Sequence, residues 1–383
     1  MKTVIATDVA LLKFNDKYYC APQVSTIFRR YHNNFGRLTV CGRIARTGEA
    51  PDSYEDVTDI IDGVICIASL EKTMVGLYDK TIRQIVKESE FVICRCPGII
   101  SHRVAAIAKR CGKPYLAESM GCAWDAYWNH SIAGKIIAPY MFWKMRSAIY
   151  HADYALYVTN EFLQKRYPCK NESVGVSNVL IKDVDPAVLE KRLEKIAEWS
   201  GSEIKLMTTA AVDVKYKGQE YVIRAIPAIN KAGYKVKYYL AGGGSQDYLG
   251  SVAKKYGVSD QVVFLGRLTL EEVLKKLDEI DIYIQPSLQE GLPRSVIEAM
   301  SRACPVVGAR TAGIPELISP ECVVRRKSAN DIAQTIVRIV DADKMPELAK
   351  KNFEESKGYI EEILDSKRSE YFIEIKSSMF AGE

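Results

Sequence analysis

Two hydrophobic rhythms alternate along this chain: short apolar runs bounded by turn residues, and longer stretches whose apolar positions recur every three or four residues. In the first half the short runs predict strands at Thr3–Ala6, Arg37–Cys41, Gly63–Ala68, Phe91–Cys94, Tyr115–Glu118 and Tyr154–Val158, with Pro114 turning the chain into the fifth. Between them Asp79–Ser89 and Ser101–Cys111 carry helical spacing, and Gly112 stands where a helix stops. In the second half Lys205–Thr209, Val236–Ala241, Val262–Leu265, Ile282–Gln285 and Pro305–Gly308 read as strands. They alternate with helices near Gln219–Lys231, Leu270–Leu277 and Pro293–Arg302. Such alternation predicts an α/β fold, with parallel sheets covered by helices.

A charged helical stretch, Pro186–Trp199, separates the halves, and Lys350–Met379 is again helical and charged. A chain of 383 residues exceeds what one core supports. The expected division is a first domain over 1–182, a second over 183–355, and a terminal helix over 356–383 that is free to pack back on the first domain.

Composition narrows the class. Apolar residues are 48% and charged residues 26%, ordinary for a soluble globular chain and far from disorder. No apolar stretch reaches membrane-spanning length, and MKTVIATDVALL, interrupted by Asp8, reads as a first strand rather than a secretory signal. The ten cysteines are dispersed without a C-x-x-C pair, which predicts reduced thiols. A cytoplasmic protein is expected from these features. The net charge of +5 is interspersed with acids, so nucleic acid is not called for. Attraction to phosphates, on a nucleotide or at a membrane, remains compatible with it.

The most informative segment is QPSLQEGLPRSVIEAM, Gln285 to Met300, where a strand gives way to a loop holding Gly291 and then a helix opened by Pro293. The unpaired amides and dipole of that helix start suit a diphosphate. Glu290 in the loop and Glu298 on the helix, eight positions apart, bring two carboxylates suited to sugar or ribose hydroxyls. Without its flanks such a pair would read as a solvated helix edge.

With those flanks, the segment resembles the Glu-x7-Glu motif of the retaining glycosyltransferase family 4, whose fold is GT-B: two Rossmann-like domains facing each other across a cleft. The resemblance continues through Lys217-Gly218, the glycines of LAGGGS that include Gly243, FLGR ending at Arg267, PSLQEGLP with Ser287, Leu292 and Pro293, and PVVGARTAGIPELI. It implies that Lys217 meets the donor diphosphate, Glu290 the donor sugar and Glu298 the nucleotide ribose, with the loop after Phe264 near the base. Gly218, Gly243, Arg267, Ser287, Gly291, Leu292, Pro293 and Arg294 complete the expected donor site. The family's arginine five positions before the lysine is Val212 here, leaving Arg294 or Arg267 to compensate.

The first half matches less closely. The glycine-rich loop usual after the first strand is not evident around Lys13 to Ser25. The run from Gly121 to Pro168 is similar to a subgroup of bacterial capsule and exopolysaccharide glycosyltransferases. Within it Asp125 and His130 fall in an aromatic-rich loop with Trp124, Tyr127 and Trp128, suited to stacking on sugars. Either polar group is a candidate catalytic residue; a helix N-cap for Asp125 and a surface histidine for His130 are the alternatives. Ile132–Tyr150, rich in Ile, Met, Phe, Trp and Tyr with Lys135, Lys144 and Arg146, suits either a helix at a membrane interface or a buried helix beside the acceptor cleft.

The resulting expectation is a retaining glycosyltransferase of capsule, exopolysaccharide or O-antigen-type polysaccharide synthesis, needing no cofactor or metal. Its donor would be a nucleotide-sugar, with a UDP-sugar first in line. Its acceptor would be a glycan or lipid-linked oligosaccharide, reached at the inner face of the membrane. Asp183 with Asp185, and Asp341 with Asp343, are the Asp-x-Asp matches and read as chance or as helix-boundary residues. Gly242, Gly243 and Gly244 after a strand suggest a dinucleotide loop, but Asp247 stands where that fingerprint needs glycine. A catalytically silent sugar-nucleotide-binding or scaffold protein is the rival from another class.

Overall fold

The computed structural model describes residues 1–49, 53–179 and 181–380. The chain forms two compact units, Met1–Val176 with Lys367–Glu383, and Ser177–Ser366. Of the terminal segment expected over 356–383, residues 381–383 lie outside the described ones.

The first unit holds the strands β1 (Thr3–Phe14), β2 (Lys17–Cys20), β3 (Leu38–Arg46), β4 (Glu55–Asp56), β5 (Ile61–Cys66), β6 (Phe91–Cys96), β7 (Tyr115–Ser119), β8 (Tyr154–Tyr157) and β9 (Ser173–Gly175). Its helices are α1 (Pro22–Phe35), α2 (Leu70–Met74), α3 (Asp79–Glu88), α4 (Ile99–Cys111), α5 (Ala123–Trp128), α6 (Ile132–Tyr150) and α7 (Phe162–Arg166). The parallel strands lie in the order β5-β3-β1-β6-β7-β8-β9. The chain winds outward from β1 on one side and restarts at β6 on the other, the doubly wound arrangement. Such strands are covered on both faces, which is why β6, FVICRC, is buried at every position.

One stretch departs from the expected pattern. β1 does not end at Ala6 but bulges between Ala6 and Ala10 and continues to Phe14. It then turns back through Asn15, at φ 51°, into antiparallel β2. This hairpin occupies the place where a glycine-rich loop would follow a shorter strand.

The second unit opens with α8 (Pro186–Ala197) and then alternates β10 (Glu203–Thr209), α9 (Gln219–Lys231), β11 (Lys235–Ala241), α10 (Asp247–Lys255), β12 (Val262–Gly266), α11 (Leu270–Glu279), β13 (Ile282–Gln285), α12 (Arg294–Ser301), β14 (Val306–Ala309), α13 (Ile314–Leu317), β15 (Val323–Val324), α14 (Ala329–Asp341) and α15 (Met345–Lys357). All six strands are parallel in the order β12-β11-β10-β13-β14-β15. Helix α8 is docked rather than a linker: buried Arg192 donates to the carbonyls of Ile280 at 2.5 Å and Leu277 at 2.6 Å. Capping those carbonyls satisfies acceptors that burial would otherwise leave costly.

The tail is two helices, α15 and α16 (Glu361–Phe380), and α16 rejoins the first unit from residue 367 onward. There Phe372 packs against Tyr31 and Phe35, with ring centroids 5.6 and 5.0 Å away. The Tyr371 hydroxyl accepts from the Ala155 amide at 3.1 Å and donates to the Glu172 carbonyl at 3.1 Å.

Candidate donor site

In a doubly wound sheet, ligands bind beyond the carboxyl ends of the strands where the winding reverses. In the second unit that point lies between β10 and β13. The loops leaving these strands and their neighbours are tied to one another. The Val212 amide donates to the Gly243 carbonyl at 3.0 Å, and the Gly242 amide to the Gly266 carbonyl at 2.7 Å. A Cβ at Gly242 would fall 2.0 Å from the Ala210 carbonyl oxygen, so only glycine permits this approach. Gly243 lies under the Arg267 side chain, itself exposed.

After β10 a short turn, Lys215–Lys217, ends at Gly218 and runs into α9. Gly218 has φ 76°, and a Cβ there would meet the Pro286 carbonyl oxygen at 2.3 Å. The loops after β10 and β13 are joined here, and the Leu288 amide donates to the Tyr216 carbonyl at 2.8 Å. This junction delivers Lys217 to Glu290: Nζ donates to Oε1 at 2.8 Å, with both side chains largely shielded.

Behind that pair lies a network in which sequence reasoning saw only a strand end. Buried Gln285 donates through Nε2 to Glu290 Oε1 at 3.0 Å and to Ser287 Oγ at 2.9 Å. Its Oε1 accepts from the Tyr283 hydroxyl at 2.9 Å and from Ser295 Oγ at 3.2 Å. The Tyr283 hydroxyl in turn accepts from the Thr209 amide at 3.2 Å. These residues form a relay that aims the Glu290 carboxylate from below. A lone glutamine or tyrosine on an apolar strand carries no sequence signal for such a role. Ser287, expected at the donor site, is fully buried within this network, and its carbonyl accepts from Thr311 Oγ1 at 2.7 Å.

Helix α12 begins one residue later than expected: Pro293, buried, is its N-cap rather than its first helical residue. No side chain caps this end. The amides of Gly291, Leu292, Arg294 and Ser295 donate to no protein acceptor among the described residues, while the Gly291 carbonyl accepts from Gly313 at 2.9 Å. Leu292 packs on the core, and Arg294 is exposed at the first turn. One turn further on, the half-buried Glu298 carboxylate accepts no hydrogen bond from the described residues. Burial raises its pKa above the usual glutamate value, partly opposed by the Arg294 guanidinium. This end of the sheet therefore offers free amides, a lysine, two arginines and an unsatisfied carboxylate, a set suited to a phosphate ester carrying vicinal hydroxyls. Val212, in the place of the family's arginine, is buried.

Asp125 and His130 belong to the first unit. The stretch expected as an aromatic loop is helix α5, with Cys122 at the N-cap position, and Asp125 is its third residue, buried, so the N-cap alternative is set aside. His130 is exposed in the turn before α6. Trp124 and Trp128 stack on one another, with centroids 5.2 Å apart. The Asp-x-Asp pairs lie at helix ends: Asp185 caps α8 by accepting from the Ala187 amide at 2.9 Å, and Asp341 closes α14.

Residues 203–342, spanning this sheet and site, match the family described as glycosyl transferases group 1. With a doubly wound sheet in each unit, that match defines the class: a glycosyltransferase of the GT-B fold. The chain is similar to protein CapJ of Staphylococcus aureus, 28% identical over 351 residues that make up 89% of this chain and 86% of that one. It is also similar to the amylovoran biosynthesis glycosyltransferase AmsK of Erwinia amylovora, 30% identical over 157 residues, 39% of this chain and 37% of that one. Among solved structures the fold is shared with Anabaena HepE. Its complex with UDP has a TM-score of 0.64 at 14% identity, covering 98% of this chain and 100% of that one. Its complex with UDP-glucose has a TM-score of 0.61 at 16% identity, covering 99% and 100%. Among the described residues no helix is long and apolar enough to cross a membrane.

Proposed function

We propose that this chain transfers a sugar from a UDP-sugar to a growing, lipid-linked glycan in capsule or exopolysaccharide synthesis, with retention of configuration and without a metal. The observation that carries the reading is the Lys217–Glu290 pair at the winding reversal, beside the uncapped start of α12. The similarity to an amylovoran biosynthesis enzyme supports the pathway class, and the fold shared with a UDP-glucose complex supports the donor.

In this reading the donor diphosphate takes Lys217 as its counter-ion, with the amides of Gly291, Leu292, Arg294 and Ser295 and the Arg294 side chain around it. Fixed cations and amides stabilise the departing charge without reorganisation. Drawing Lys217 to the phosphate releases Glu290 Oε1 to accept from a donor-sugar hydroxyl, while Gln285 keeps that carboxylate oriented. Glu298 accepts from the ribose hydroxyls, and Gly218, Gly243 and Arg267 shape the nucleotide end. The bond from C1 to the diphosphate oxygen breaks as the acceptor oxygen bonds C1 from the same face. The acceptor proton passes to the departing phosphate oxygen. Asp125 and His130 are the acceptor-side candidates.

The test is nucleoside diphosphate release from UDP-, GDP- and dTDP-sugars with lipid-linked and free glycan acceptors, in chelator. Acceptor-dependent release from the UDP-sugar is expected, with Glu290→Ala and Lys217→Ala each reducing it by about 100-fold or more. Donor binding without turnover on any acceptor would favour a silent sugar-nucleotide-binding protein. Dependence on added metal would overturn the metal-free chemistry.

A further inference from the structure

Helix α6 is apolar on two opposite faces. Gly134, Ala138, Met141, Met145, Ala148 and Ile149 are buried in the first unit. On the other side Ile132 is 82% exposed, Ile136 79% and Trp143 65%, with Tyr140 and Tyr150 also exposed. At about 100° per residue these five fall within a sector of roughly 80° along the whole helix. They form a stripe, interrupted by exposed Ser147 alone, rather than scattered positions. Lys135 and Lys144 flank the stripe on either side, and α6 contains no acidic residue. Lys135 Nζ lies 6.0 Å from the Trp128 ring and Lys144 Nζ 5.2 Å from the Tyr140 ring, so both stems run along aromatic surface.

The stripe does not stand alone. Lys144 and Tyr140 line a hollow between α2, α4 and α6 together with Met74 and Arg110. The turn that continues α2 from Met74 exposes Val75 at 75% and Leu77 at 68%. Arg103, also lining the hollow, is neutralised by a two-bond pair with Asp79, but Lys144 and Arg110 have no acidic partner among the described residues. Monomeric proteins rarely leave so long an apolar surface in water unless something covers it.

The geometry points to an anionic phospholipid bilayer as the occupant. We propose that the outer face of α6 and the Val75–Leu77 turn seat in the headgroup region, with Ile132, Ile136 and Trp143 entering its apolar boundary and Lys135, Lys144 and Arg110 meeting lipid phosphates. Tryptophan and tyrosine suit that depth because each has an apolar body and a polar tip. The flanking lysines supply the charge complementarity, and with no acidic partner among the described residues they are available to it. The helix would lie in the interface without spanning it. This inference uses the surface of the first unit alone and does not rest on the donor reading.

The test is co-sedimentation of the full chain with vesicles of phosphatidylcholine and with vesicles that also contain phosphatidylglycerol. Binding is expected to the phosphatidylglycerol vesicles, weakening as salt rises. Lys135→Ser and Lys144→Ser should each lower it about fivefold. The double variant Ile136→Ser with Trp143→Ser should abolish it, while donor hydrolysis and the melting temperature stay at wild-type values. No binding by the wild type, or equal binding by all variants, would overturn the proposal. So would sedimentation equilibrium showing a dimer that the double variant dissociates, since the stripe would then be covered by a second copy.

Discussion

Glu298 is a carboxylate that water reaches only in part and that no neighbour satisfies. If its task is to accept two hydroxyls of a ribose, only the ionised form performs it. Because burial raises its pKa, protonation sets in at a higher pH than for an ordinary glutamate. UDP affinity is therefore expected to fall as pH drops through that raised value, with full affinity above it. Glu298→Gln should weaken UDP by about 10-fold, the lower end for charge-assisted hydrogen bonds, and flatten the acid limb. Calorimetric titration at several pH values checks both. An unchanged acid limb in the variant would remove Glu298 from the ribose.

At the scale of elements, the site depends on two loops that approach within a carbonyl's reach of each other. Gly218 holds that contact through a positive φ and the absence of a Cβ. Gly218→Ala is expected to cost about 1–3 kcal/mol through backbone strain and displacement of the Pro286 carbonyl. Turnover should fall further than stability, because Lys217 is carried on the same turn. Urea denaturation and donor release measured on one preparation separate the two effects. Gly48, exposed and with open space at its Cβ position, serves as the control: Gly48→Ala should change neither.

At the scale of the whole molecule, α16 begins in one unit and completes the core of the other. Phe372 is fully buried among Tyr31 and Phe35, residues more than three hundred positions earlier in the chain. Phe372→Ala is expected to destabilise the first unit by about 3–5 kcal/mol, the usual cost of emptying an aromatic site. Helix α12 and the Lys217–Glu290 pair belong wholly to the second unit. UDP binding should consequently survive at temperatures where the first unit of the variant has melted. Calorimetry with and without UDP reads this directly: the ligand should raise only the transition of the second unit.

What was legible in the sequence is what neighbouring residues encode. The strand and helix rhythm of the second half predicted α9 at its observed bounds because it buries one repeating set of apolar positions, and β13 likewise because it is a short apolar run buried at every position. The stretch from Gln285 to Met300 identified loop, helix and both glutamates, since turn chemistry and helix start lie within a few residues of one another. Tertiary structure alone decided three things. Lys217 and Glu290, 73 positions apart, meet only because β10 and β13 are adjacent in the sheet. Gln285 became a positioning group only through side chains that the fold brings around it. Helix α6 is apolar on both sides, so its spacing could not say which face the core would take. Periodicity specifies a buried face only when the opposite face is polar, and contacts between distant segments are chosen by the packing of the whole sheet.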